Sequence, residues 1–141
     1  MSVKNNLRVK FYDTDLMGIV HHSNYIRWFE EGRVEYLRSV GINLNDMIED
    51  KILFPIVEVR AKYFQPARFD DELEIETNAL ALTKVMMEFK YKVRRVGEDK
   101  VLASGHSKNV FTSTETGKII RLPEKYFLKL QAAIIVEEMG E

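Results

Sequence analysis

One segment limits the fold more than any other. From about Ser23 to Val40 the apolar residues recur at steps of three and four: Tyr25, Trp28 and Phe29, Gly32, Tyr36 and Leu37, then Val40. That period predicts a helix with one broad apolar face. Ser23 or Asn24 can cap its start and Gly41 can end it. Gly32 sits within the stripe, where glycine costs roughly 1 kcal/mol relative to alanine. A glycine on the buried face predicts that another backbone, such as a sheet, packs close against it.

The chain after this helix changes period. A second helical turn is expected at Leu44 to Glu49. Then Val57, Val59, Ala61 and Tyr63 alternate with charged residues. So do Leu73, Ile75 and Thr77, and again Val85, Met87, Phe89, Tyr91 and Val93. Val101 to Phe111 is a weaker fourth strand. Leu7 to Tyr12 alternates before the helix and predicts a short first strand. Turns fall at 65–71, 82–84 and 97–100. Pro123 opens a last short helix, from Glu124 to about Glu137. Strict alternation points to antiparallel strands with one buried and one wet face. The expected class is therefore α+β: one long helix laid across a curved antiparallel sheet of about five strands. With 141 residues and no repeat or linker, residues 1–141 form a single domain.

Charge and composition exclude several functions. The chain has 21 basic and 22 acidic residues, a net charge of −1, so no global field attracts nucleic acid. It has no cysteine, which removes disulfides, thiolate metal sites and cysteine nucleophiles. No apolar run approaches the ~18 residues of a membrane-spanning helix, and the first residues do not read as a signal peptide. The expected location is the cytoplasm.

Chemistry concentrates in residues 13–25, just ahead of the long helix. Asp13, Asp15, His21 and His22 lie within ten residues. A helix start offers unpaired N–H groups and a positive dipole end, suited to a developing oxyanion. A carboxylate in the preceding loop can serve as nucleophile or general base. Gly18 leaves room for a substrate near the backbone. Asp13 reads as turn or cap chemistry. A calcium loop is rejected, because Met17 and Asn24 stand where ligands are needed. No metal site is expected either, since neighbouring histidines on a helix point apart.

Asp13, Thr14, Asp15, Gly18, Val20, His22 and Tyr25 are spaced as in the signature of hotdog-fold acyl-CoA thioesterases of the hydroxybenzoyl-CoA thioesterase type, which this stretch resembles. Trp28-Phe29-Glu30 with Arg33, the run from Tyr63 to Asp71, and Arg121-Leu122-Pro123 extend the resemblance over nearly the whole chain. It is nearest to the subgroup associated with the Tol–Pal cell-envelope system. The resemblance implies a helix wrapped by a sheet, assembly as a homodimer or a dimer of dimers, and active sites at the dimer interface. It implies hydrolysis of an acyl-CoA thioester without metal or cofactor. An acyl-carrier protein is an alternative donor. By position it makes Asp15 the catalytic carboxylate and sets His22 at the oxyanion site, with Tyr25 shaping the pocket. The loop cations Lys84 and Arg121 are candidates for the CoA phosphates. Two rival readings are a non-catalytic acyl-thioester sensor or scaffold and a hotdog enoyl-thioester hydratase. The latter's longer Asn-Pro motif is absent from this sequence.

Overall fold

Why the long helix lies where it does is visible at its middle. The computed structural model describes residues 2–140, with side chains described for residues 2–134. Helix α1 spans Ser23–Ser39 and buries Tyr25, Trp28, Phe29, Gly32, Tyr36 and Leu37. A Cβ added to Gly32 would lie 2.2 Å from Thr77 Oγ1. The helix backbone at Gly32 therefore rests directly on the Thr77 side chain of strand β4 (Glu72–Leu82). One turn earlier, Phe29 lies over Gly105, where an added Cβ would meet its ring at 2.4 Å. The same ring stacks on Tyr91 with centroids 4.4 Å apart. Each such fully buried large side chain contributes roughly 1.5–3 kcal/mol.

The helix ends as its sequence predicts. Gly41 has φ +82, which a residue with a Cβ rarely adopts. Ile42 N–H donates to Leu37 C=O at 2.9 Å and Gly41 N–H to Arg38 C=O at 3.1 Å. Those two bonds close the last turn as a Schellman motif. Helix α2 (Leu44–Glu49) follows, with the Asn43 side chain accepting from Asn45 N–H.

Strands β1 (Ser2–Arg8), β4, β5 (Met86–Arg95), β6 (Val101–Val110) and β3 (Ile56–Tyr63) form one sheet in the order β1-β4-β5-β6-β3. Every neighbouring pair is antiparallel. Leu73, Ile75, Thr77, Met87, Phe89, Tyr91 and Val93 are buried beneath α1, as alternation requires. A small second ribbon pairs β2 (Ile52–Leu53) with β7 (Thr112–Ser113). Helix α3 (Glu124–Gly140) buries Tyr126 and Leu130. This arrangement is the hotdog α+β fold. Among the described residues no helix is long and apolar enough to cross a membrane.

Several expectations fail locally. The first strand starts earlier than Leu7 and ends at Arg8. Beyond it, the Asp13 carboxylate accepts the Lys10 N–H at 2.9 Å and closes a 3-10 turn over Phe11–Asp13. Phe11 and Tyr12 are thereby turned outward, 71% and 81% exposed. Val57, assigned to the apolar face of β3, is 57% exposed because a bulge lies between Ile56 and Glu58. The ribbon of β2 and β7 was not expected, since two-residue strands carry no period. Helix α3 also runs past Glu137.

Gly32→Ala tests the seating of α1. Alanine favours the helix by about 1 kcal/mol, but its methyl group must displace Thr77, and overpacking costs typically 1–3 kcal/mol. The variant is expected to unfold at lower urea than wild type. Thr77 Oγ1 is buried and makes no hydrogen bond among the described residues, so adding Thr77→Ala is expected to restore much of the loss. An equal loss in single and double variants would mean that the contact is not what constrains position 32.

Candidate active site

Asp13 organises the segment that enters α1. It is buried, and its carbonyl accepts both His21 N–H and the Asn24 side-chain amide, each at 2.9 Å. Its role is structural, as its turn chemistry predicts. The chain then makes a narrow loop. Thr14 and Val20 form an antiparallel bridge, and Asp15 N–H donates to Ile19 C=O at 2.9 Å. Gly18, at φ +76, closes the tip with its N–H on Asp15 C=O. Nothing lies within 4 Å of a Cβ built on Gly18, and the residue does not line the neighbouring cleft. Its conformation makes the turn, and the space beside it expected for a substrate is open.

The loop holds Asp15 at a defined angle. Its Oδ1 accepts Met17 N–H at 2.8 Å, and Oδ2 has no partner among the described residues. The side chain is exposed. It faces a cleft of about 310 Å³. Asp15 and Ile19 form one wall, His21, His22 and Tyr25 at the start of α1 a second, and Tyr63 to Pro66 after β3 a third. The third wall is braced from behind, where Arg95 donates to Pro66 C=O at 2.9 Å and to Asp71 at 3.0 Å.

The two histidines divide the work at the helix start. Ser23 N–H donates to His21 Nδ1 at 3.2 Å, and Ser23 Oγ lies 2.8 Å from the same nitrogen. The His21 ring thus caps the first turn, a task the sequence had given to Ser23 or Asn24. Asn24 and Tyr25 donate their N–H groups to the carbonyls of His21 and His22. The N–H of His22 itself donates to nothing among the described residues. It is an unengaged donor at the positive end of α1. The His22 ring stacks on His21 at 4.3 Å and tilts against Tyr63 at 5.9 Å. Tyr63 O–H donates to His22 C=O at 3.3 Å.

Tyr25 forms the floor. It is buried, its oxygen accepts Ala67 N–H at 3.3 Å, and burial pushes its phenol above the ordinary range. It therefore stays neutral across the physiological range. Asp15, His21 and His22 are not gathered into a metal-holding group.

Lys84 and Arg121 are not brought to this cleft within one chain. Leu122 N–H donates to Lys84 C=O at 2.7 Å, so the two cations are neighbours, in and beyond the β4–β5 turn. Met86 at that turn pairs with Val110, at the end of β6 beside Ile56. Tyr63 lies at the other end of β3, seven steps of ~3.3 Å away, roughly 20 Å. Conversely, the wall from Tyr63 to Pro66 was not recognised as part of the cleft. Its sequence run is conspicuous, but only the crossing of β3 past α1 shows what it faces.

Comparison with known proteins agrees with this fold. The model of the thioesterase-like superfamily matches residues 9–134. A crystal structure of a hypothetical protein from Aquifex aeolicus superposes with a TM-score of 0.84 at 34% identity, covering 91% of this chain and 98% of that one. A solved gentisyl-coenzyme A thioesterase gives a TM-score of 0.80 at 32% identity, covering 86% and 97%. The acyl-CoA thioester hydrolase YbgC of Escherichia coli O6:H1 is 30% identical over 87 residues, 62% of this chain and 65% of that protein.

The division between the histidines is testable by thermal or urea unfolding. His21→Ala removes a capping acceptor and is expected to cost about 0.5–2 kcal/mol. His22→Ala removes an exposed ring and is expected to stay within about 0.5 kcal/mol of wild type. Equal losses would mean that the His21 ring does not cap the helix.

Proposed function

The chain belongs to the thioesterase-like superfamily and is an enzyme of the thioester hydrolase class, and we propose that it hydrolyses acyl-CoA through Asp15 and the start of α1. One observation carries the site assignment. Asp15, whose carboxylate keeps a free oxygen, and His22, whose helix-start N–H is unengaged among the described residues, line the same cleft. Thioester hydrolysis needs both: an attacking group, and a donor for the negative charge that grows on the carbonyl oxygen.

In the proposed reaction the thioester carbonyl oxygen hydrogen-bonds the His22 N–H. Two routes follow. In one, an Asp15 oxygen attacks the carbonyl carbon, the C–S bond breaks and CoA leaves as the thiolate. Water then cleaves the resulting anhydride. In the other, Asp15 takes a proton from water as that water attacks. Both consume one water and yield a carboxylic acid and CoA. Tyr25 shapes the floor under the acyl carbon. Within the superfamily, the motif from Asp13 to Tyr25 favours the Tol–Pal-associated subgroup. A carrier-protein thioester would present the same carbonyl to the same groups.

The protein works as a homodimer or a larger homo-oligomer in this reading. Strand β3 is an uncovered sheet edge, with Val57, Tyr63 and Phe64 exposed around it. Its charges run from Glu58 to Arg60 and Lys62. Antiparallel pairing of β3 with a second copy sets the acid of one strand against the bases of the other, whereas parallel pairing sets like against like. The same pairing brings the Ile56 end of one subunit, with its Lys84 and Arg121, toward the Tyr63 end of the other. That is how those two cations are proposed to reach the CoA phosphates.

Asp15→Asn tests the chemistry. Thiol release from a panel of acyl-CoAs is expected to fall at least 10³-fold, while acyl-CoA binding persists. An active Asn variant removes Asp15 from its role, and binding without turnover in the wild type makes the protein a sensor. A single turnover in ¹⁸O water separates the routes, because the covalent route can pass an unlabelled Asp15 oxygen to the acid. Glu58→Lys tests the assembly. It is expected to shift sedimentation toward monomer and to lower activity in dilute samples, and a fully active monomer would contradict a shared site.

A further inference from the structure

Arg33 is the charged group that the chemistry above leaves unexplained. It sits on α1 and is only 5% exposed. Its Nη1 donates to Tyr91 O–H at 3.1 Å. Tyr91 in turn bonds Ser107, and Asn109 bonds the Phe54 carbonyl. Every partner in this chain is neutral. Among the described residues no carboxylate pairs with Arg33, although a guanidinium carries its charge at any physiological pH. A buried cation without a counter-charge is costly.

The free part of the guanidinium has a defined shape. With Nη1 engaged, Nε and Nη2 remain. Their N–H groups lie side by side on one edge, the geometry that grips both oxygens of a carboxylate. Arg33 lines a separate pocket of about 140 Å³. The other walls are apolar, including Leu37, Ile48, Ile52 and Phe54, except for Glu30. Glu30 is exposed and makes no hydrogen bond or ion pair among the described residues. It shares the pocket lining with Arg33 without pairing with it among the described residues.

Within one chain, Arg33 is eleven residues beyond His22, about 16 Å along the helix. In the antiparallel β3 dimer, Phe54 and Leu53 just before β3 lie beside the Tyr63 end of the partner. The Arg33 pocket of one subunit then adjoins the Asp15 cleft of the other. We infer that Arg33 forms a subsite for an acyl group ending in a second carboxylate, which it receives from the cleft of the neighbouring subunit. This inference rests on the thioesterase reading for its substrate, but the subsite itself is defined by the pocket. Arg33 is a specificity residue, remote from the reacting atoms.

The test compares dicarboxylic acyl-CoAs of four to six carbons with monocarboxylic acyl-CoAs of the same length. Wild type is expected to favour one dicarboxylic member at least tenfold in kcat/KM, chiefly through KM. Arg33→Gln should abolish that preference while leaving the monocarboxylic rate within about threefold. Because Arg33→Gln can fail to fold, Glu30→Gln supplies a surface variant with the opposite sign. Removing the rival carboxylate should raise the preference. A wild type that prefers monocarboxylic chains throughout, or an Arg33→Gln variant that loses both series equally, overturns the inference. If no thioester is hydrolysed, the catalytic reading has failed. Free succinate, glutarate and adipate then test the subsite alone. At least one should shift the Arg33 Nε–H resonance while butyrate does not, and no shift with any of them overturns the subsite.

Discussion

The contact on which the rest depends is the seating of α1 on the sheet at Gly32 and Thr77. The Thr77 side chain fills the space between the two backbones there, and Gly32 adds no atom of its own. The approach lets Phe29 reach across to Gly105 and stack on Tyr91. It also fixes where the start of α1 emerges. A bulkier residue at position 32 lifts the helix, and with it the His22 N–H, away from the wall that follows β3. The glycine sacrifices helix propensity at one position so that a whole face can be buried.

Around that seat the polar groups of residues 13–25 are used without redundancy. Asp13 closes the turn before the loop and holds the helix entry by its carbonyl. His21 caps the first turn. These contacts engage the donors on either side of His22 and leave its own N–H free. Asp15 is steadied through one oxygen and leaves the other exposed. The groups proposed to react are thus the ones left over when every neighbour has a partner. A fold that satisfied them too would be more stable and inert.

Much of this was legible in the chain. The steps of three and four from Tyr25 to Leu37 match the buried face of α1. The alternation of Leu73, Ile75 and Thr77 matches β4, and Gly41 ends the helix in the way its lack of a side chain allows. What escaped was set by tertiary contact. Phe11 continues an apolar alternation yet points outward, because the Asp13 turn competes with the strand. Val57 loses its face to a bulge. Lys84 and Arg121 read as phosphate ligands from their loop positions, but within one chain the sheet carries them to the far end from Asp15, and only a second copy would bring such cations to the cleft. Arg33 sits within a stripe where a sequence reader expects only apolar neighbours, and its burial against Tyr91 depends on a strand 58 residues away.

The free donor at position 22 is main chain, and this has a consequence for inheritance. Every amino acid but one supplies the same N–H, so the codon for this position can drift through nearly all replacements without removing the oxyanion contact proposed above. Proline alone lacks the hydrogen. Asp15, in its proposed role, has no such latitude. On the proposed mechanism, the histidine and the walls around it are therefore free to vary, and so to admit new acyl groups, while the polarising half of the chemistry is carried by the backbone that makes the helix.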